Sequence, residues 1–346
     1  MKSEWQAHLK GYQANISDST VHDFGQLEQE RTSINDTIIA DLSHLGLISA
    51  EGIDATDFLQ GQFSNDVRLV CSESSQLNAY CSPKGRILAS FRLFYMNDKY
   101  YLEMPNTLVQ QTLKRLSLFV MRSQVQLQDA SDSMVRIGLA GPDSEQYLSD
   151  NNLAFPTRVD AASQSGQILV LRIPGPAPRF EIHGPLGELI PLWDNLAHKA
   201  TAVGAGTWSL LDIQAGLPII QSQTVESFVP QMVNLELING VNFKKGCYPG
   251  QEIVARMQYL GKLKKRMYLA HIDTTDTIQP GDALYSGNSD NTQSIGNIVN
   301  AQHSPAGGYD VLAVIQITEI DNGQIRFGAK DGAILEINEL PYSLSA

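Results

Sequence analysis

A hairpin followed by a helix occurs twice in this chain, and the repeat narrows the folds open to it. In the first copy, residues 87–95 and 100–103 are largely apolar and aromatic runs separated by Asn97-Asp98, a hairpin signature. Leu108, Val109, Thr112, Leu113, Leu116 and Val120 then share one helical stripe, with Lys114 and Arg115 off it. In the second copy, 167–173 and 179–183 are the strands and 174–178 the turn. The helix that follows buries Leu189, Trp193, Leu196 and Ala197. Between the copies, 134–139 reads as a strand and 142–148 as a helix with Pro142 at its first position. The repeated order implies an α+β class, with two related units, each an antiparallel sheet backed by helices.

The rest of the chain is arranged around these units. Residues 1–36 read as a polar N-terminal extension that either forms a peripheral helix around Trp5, Leu9 and Tyr12 or stays partly mobile. Residues 37–260 hold the two interleaved units, roughly 50–130 being inserted in the other. Within them, Asp54 is placed to cap a short helix that carries Phe58 and Leu59 and stops at Gly61. From 261 to 346 the texture changes. Short strands at 267–272, 283–285, 295–299, 311–317 and 334–337 are punctuated by Pro280-Gly281-Asp282, Gly287-Asn288 and Gly307-Gly308. That rhythm indicates a small β-barrel or sandwich.

The chemistry concentrates in Lys244-Lys245-Gly246-Cys247-Tyr248-Pro249-Gly250-Gln251-Glu252. A cysteine lies beside two lysines, and Gly246 and Gly250 allow tight turning. Pro249 is suited to the first turn of a helix running through Gln251, Glu252, Val254 and Arg256. A helix N-terminus and nearby cations both favour the thiolate, so Cys247 reads as a reactive or ligand-facing thiol rather than a small core residue. Seven basic residues fall between 244 and 266, opposed only by Glu252. They can be a solvated linker, an anion site, or a surface for RNA, with Tyr248, Tyr259 and Tyr268 as the aromatics. Trp208 can be a core residue or a flat wall for a planar heterocycle, with Gln214 able to donate and accept at its edge.

Several function classes fall away. A net charge of −12 argues against general affinity for nucleic acid or anionic membrane. No apolar run reaches the length of a membrane span, and the N-terminus has no apolar h-region. With three cysteines, an odd number, this implies a cytoplasmic chain with reduced thiols. Cys71, Cys81, Cys247 and the scattered histidines make no metal spacing, so no metal is expected. Neither a P-loop nor a GxGxxG after a strand is present.

Residues 245–252 resemble the K-G-C-Y-x-G-Q-E signature of the YgfZ family, folate-binding proteins implicated in iron–sulfur cluster maintenance and also described as tRNA-modifying. The similarity extends to Phe58-Leu59-Gln60-Gly61-Gln62, Cys81-Ser82-Pro83-Lys84-Gly85-Arg86, Phe91-Arg92-Leu93-Phe94, Ile213-Gln214-Ala215-Gly216 and the tail Leu340-Pro341-Tyr342-Ser343-Leu344. The parent superfamily is the glycine-cleavage T-protein (GcvT), an aminomethyltransferase using tetrahydrofolate. Asp41-Leu42-Ser43-His44-Leu45-Gly46 is similar to its D-x-S-H-M-G segment. The resemblance implies three domains in a ring around a channel for tetrahydrofolate or another folate derivative. It implies Trp208 against the pterin, Gln214 at its edge where the T-protein has glutamate, and Leu45 where YgfZ proteins have a second tryptophan. Cys247 would face the channel as the candidate catalytic residue, with Lys244 and Lys245 keeping it partly ionised and Lys245 and Tyr248 as its candidate catalytic neighbours. Implied partners are folate and iron–sulfur clients or assembly proteins, with tRNA indirect at most and no membrane. The chain departs from the T-protein at Gly85-Arg86-Ile87-Leu88-Ala89-Ser90, where the acids of G-G-I-x-D-D are missing. Whether the chain is an enzyme is left open. The alternatives are a tetrahydrofolate-dependent aminomethyl- or methyltransferase, and an RNA- or protein-interaction module using 244–266.

Overall fold

A computed structural model describes residues 1–287, 293–320 and 323–344. The chain divides into two compact units. One comprises Met1–Phe58, Arg68–Gln76 and Arg92–Leu211, the other Leu59–Val67, Leu77–Phe91 and Asp212–Ala346. Residues 212–260 thus group with the C-terminal strands.

The first unit is built on a six-stranded sheet. Its order is Ala162–Ser165, Ile168–Arg172, Arg179–Gly184, Val135–Ala140, Ile38–Asp41 and Thr201–Val203. All pairings are antiparallel except the last, which is parallel. Side chains alternate across such a sheet with period two. Ile39, Ile137, Leu139, Val170, Phe180 and Ile182 point to one face, where the helices Ser3–Gly11, Ser144–Asp150 and Leu186–Ala197 cover them with Trp5, Leu9, Leu148, Trp193 and Leu196. Ile38, Ala40, Leu169 and Leu171 point to the other face. They meet Leu47, Phe94, Met96 and Tyr101 from Leu45–Glu51, Ile87–Met96 and Lys99–Pro105. Both faces of the six-stranded sheet are therefore covered.

Residues 1–36 are not peripheral. The helix Ser3–Gly11 forms, but Trp5 and Leu9 are core residues, and Trp5 meets Trp193 edge-on with ring centroids 5.5 Å apart. Two expected helix starts also shift. Pro142 precedes the helix Ser144–Asp150, whose N-cap is Asp143. The Asp54 carboxylate does not cap the helix Ala55–Gln60 but accepts the Gln124 backbone N–H at 2.7 Å.

In the second unit, Lys265–Ile272, Ala283–Ser286, Gly296–His303, Tyr309–Gln316, Ile325–Phe327 and Leu335–Asn338 make a six-stranded antiparallel sheet. Its edge strands meet through a bridge between Arg326 and Ile334, which nearly closes the sheet into a barrel, one of the two forms the turn rhythm allowed. Asn288 of the Gly287-Asn288 turn lies outside the described residues. The tail is tied down by Tyr342, whose hydroxyl donates to the Gly216 carbonyl at 2.8 Å.

Candidate functional site

The Lys244–Glu252 segment lies in the second unit, and its residues divide sharply between anchors and surface. Lys245 is buried. Its ammonium donates to the Gln60 carbonyl at 2.6 Å and to the Phe63 carbonyl, and lies 5.1 Å from the centroid of the Tyr248 ring. Tyr248 is buried as well, and burial pushes its phenol pKa up. Gly250 adopts φ +82°, and a Cβ there would stand 2.7 Å from the Gly85 Cα in the Ser82–Gly85 turn. Only glycine accepts that close approach in this conformation. Gln251 reaches back to the Lys245 carbonyl at 3.4 Å. Cys247, Gly246, Lys244 and Glu252 are exposed.

Two expectations for this segment change. The helix runs from Gln251 to Tyr259 with Gly250 as N-cap, so Pro249 precedes the cap and Cys247 lies beyond the first turn. The field of a helix end fades within that turn. Lys245 directs its ammonium to main-chain carbonyls, which makes it a structural anchor rather than a cation supplied to the thiol. Of the other basic residues, Arg266 pairs with Glu236 at 2.9 Å, while Lys244, Arg256, Lys262 and Lys264 are exposed, as is Tyr259. Cys81 is buried, and burial pushes its thiol up to about 12.

In the first unit, Trp208 is 1% exposed. The Arg179 guanidinium lies 4.1 Å from its ring centroid and donates to its carbonyl oxygen at 3.0 Å. Its six-membered ring rests on Gly138, where a Cβ would come within 2.6 Å. The ring that the sequence offers to a pterin is thus enclosed as a core residue. Leu45 is half-buried at the start of its strand, and Gln214 is half-buried at the end of the helix Ala205–Gln214. Asp41 is fully buried. It accepts from the Trp5 indole N–H at 2.7 Å, the Ser43 hydroxyl at 2.8 Å and the Ser43 N–H at 3.0 Å. Ser43 and His44 form a local turn held by these bonds.

One constellation is not among the candidate site residues read from the sequence. Arg92, Glu103, Arg136, Glu181 and His183 are all buried in the first unit. Glu181 and His183 alternate with Phe180 and Ile182, and Arg136 alternates with Val135 and Ile137, so they occupy the sheet face that the second layer of strands covers. His183 Nε2 lies 3.8 Å from Glu103 and 4.0 Å from Glu181. Burial, with Arg136 and Arg92 nearby, holds the His183 imidazole neutral, its pKa pushed down to about 3. Burial first, then the like charge of Glu181, pushes Glu103 well above the usual carboxylate range. The only sequence signal was polar residues at period two, which ordinarily marks a wet sheet face.

The chain matches the family described as GCVT N-terminal domain over residues 11–245. It is 29% identical over 311 residues to the tRNA-modifying protein YgfZ of Colwellia psychrerythraea, covering 90% of this chain and 95% of that one. It is also 29% identical over 306 residues to the tRNA-modifying protein YgfZ of Yersinia pestis, covering 88% and 92%. Its fold is that of the glycine cleavage system aminomethyltransferase T from Bartonella henselae, with a TM-score of 0.80 across 98% of this chain and 96% of that one at 17% identity. Among the described residues, no helix is long and apolar enough to cross a membrane.

Proposed function

Because the chain belongs to the GCVT N-terminal domain family, we propose that it is a folate-binding protein of the YgfZ type, acting in tRNA modification through the upkeep of iron–sulfur enzymes, with Cys247 as its working thiol. The observation that carries this reading is the construction of the 244–252 segment. Lys245, Tyr248 and Gly250 are locked by burial, carbonyl ligation and a glycine-only turn, and Cys247 is left exposed on that rigid base. A cysteine kept only for packing has no need of such support. Tetrahydrofolate or a derivative is the ligand that the similarity to YgfZ and T-protein favours. The missing acids at Ala89 and Ser90 argue against methylene transfer of the T-protein kind. Gln214 remains the residue suited to the edge of a pterin.

The test separates the two parts of the proposal. In cells lacking their own YgfZ relative, Cys247→Ala should fail to restore iron–sulfur-dependent tRNA modification, while the purified variant keeps its melting temperature and its tetrahydrofolate affinity. Full rescue by Cys247→Ala would end the thiol role. Absence of saturable tetrahydrofolate binding to the wild type would end the folate role.

A second reading rests on the exposed group Lys244, Arg256, Lys262, Lys264 and Tyr259, which suits a phosphodiester backbone. It calls for RNA binding that weakens steeply with salt and survives Cys247→Ala.

A further inference from the structure

We propose that Glu103, Glu181 and His183 form a binding site for one divalent first-row transition-metal ion. One ligand atom from each residue lies within 4.8 Å of the other two. A tetrahedral ion with bonds of about 2.1 Å needs donors about 3.4 Å apart. The imidazole Nε2 stands 3.8 Å and 4.0 Å from the two carboxylates, so a few tenths of an ångström closes the set.

Three features favour an ion over a purely structural cluster. His183 is fully buried, and among the described residues neither ring nitrogen has a hydrogen-bond partner. Such a group ordinarily carries a heavy desolvation cost. Its neutral form is the one that ligates. Both carboxylate oxygens of Glu103 are buried without a hydrogen-bond partner among the described residues. Arg136 gives its terminal N–H groups to the carbonyls of Ser131 and Leu45, and its Nε stays 3.7 Å from Glu103. Arg92 bonds Asp160 at 2.6 Å and keeps its Nε 3.9 Å from Glu181. The Arg136 guanidinium thus offsets charge from the periphery without donating a hydrogen bond to the Glu103 carboxylate. Two carboxylates with one imidazole suit zinc, iron, manganese or cobalt better than magnesium or calcium. The inference is independent of the folate reading, because its residues lie within one unit and include neither Cys247 nor Gln214.

Cobalt(II) chloride is the probe, supplied to the folded full-length protein and, because the site is enclosed, also to the growth medium during expression. The expected result is one cobalt per chain by elemental analysis, with an X-ray absorption spectrum of nitrogen and oxygen ligands that includes an imidazole. Binding should weaken tenfold or more in Glu103→Gln and His183→Gln and stay unchanged in Cys247→Ala. Glu103→Gln keeps size and removes charge, so it carries the test if His183→Gln does not fold. The proposal is overturned by less than 0.1 cobalt per chain under both loading conditions, on the order of background for a site of this kind. It is equally overturned by sulfur ligation in the spectrum, or by stoichiometric binding that Glu103→Gln leaves intact.

Discussion

The Trp5 indole N–H donates to the Asp41 carboxylate at 2.7 Å, fastening the first helix to a central strand 36 residues further on. Asp41 is fully buried, and burial raises its pKa despite this bond and those from Ser43. Trp5→Phe keeps most of the packing but removes the donor, so it should lower unfolding free energy by about 1–3 kcal/mol. Trp5→Ala should lower it by about 3–5 kcal/mol. Urea denaturation measures both, and a loss below experimental error would restore the N-terminal residues to the periphery.

Lys245 serves as an anchor through its bonds to the Gln60 and Phe63 carbonyls. Lys245→Met should therefore destabilise the protein by about 1–3 kcal/mol, because buried acceptors lose their donor. The rate at which iodoacetamide alkylates Cys247 in the folded protein should change little. A rate that falls sharply while the melting temperature holds would return Lys245 to the role of thiol activator.

Gly250→Ala forces a Cβ against the Ser82–Gly85 turn at positive φ. Backbone strain of about 1 kcal/mol plus the clash should give a loss above 2 kcal/mol. Gly246 has open space around it, and Gly246→Ala should be nearly neutral by the same measurement.

Trp208→Ala should cost about 3–5 kcal/mol as a core truncation. Trp208→Phe, assayed at a temperature where it is folded, should retain tetrahydrofolate affinity. A tenfold loss in that titration would show that the ring opens to ligand in solution.

His44 gives a pH signature. Burial, reinforced by Arg136, lowers its pKa to about 4 in the folded chain, against about 6.5 when unfolded. Between those values the unfolded state binds the extra proton, so this residue makes stability fall as pH drops, by up to about 1.4 kcal/mol per unit. Asp41, with its raised pKa, titrates in the opposite sense. The readout is therefore the difference between wild type and His44→Gln. It should be largest near pH 4–5 and shrink above pH 7 (flat behaviour across that range rejects the assignment).

Much of the architecture was legible because local patterns carry it. The 3.6-residue stripe from Leu108 to Leu116 and the hairpin break at Asn97-Asp98 both form as expected. So do the C-terminal strands, except Ile325–Phe327, whose three residues are too few for a period to register. Helix starts were less legible. Pro142 and Pro249 are compatible with a first turn, yet Asp143 and Gly250 take the cap positions.

The sequence by itself determined the α+β class and the run of short C-terminal strands, since turn residues and periodicity are local. It also wrote the alternation Arg179-Phe180-Glu181-Ile182-His183. Only the tertiary structure decided that the polar side of that strand faces a second layer of strands instead of water, bringing Glu103 and Arg136 to His183 from distant positions. The same holds for Lys245 and Trp208. A lysine beside a cysteine and a tryptophan in an amphipathic stretch each fit two environments, and which one prevails depends on long-range burial that no local pattern encodes.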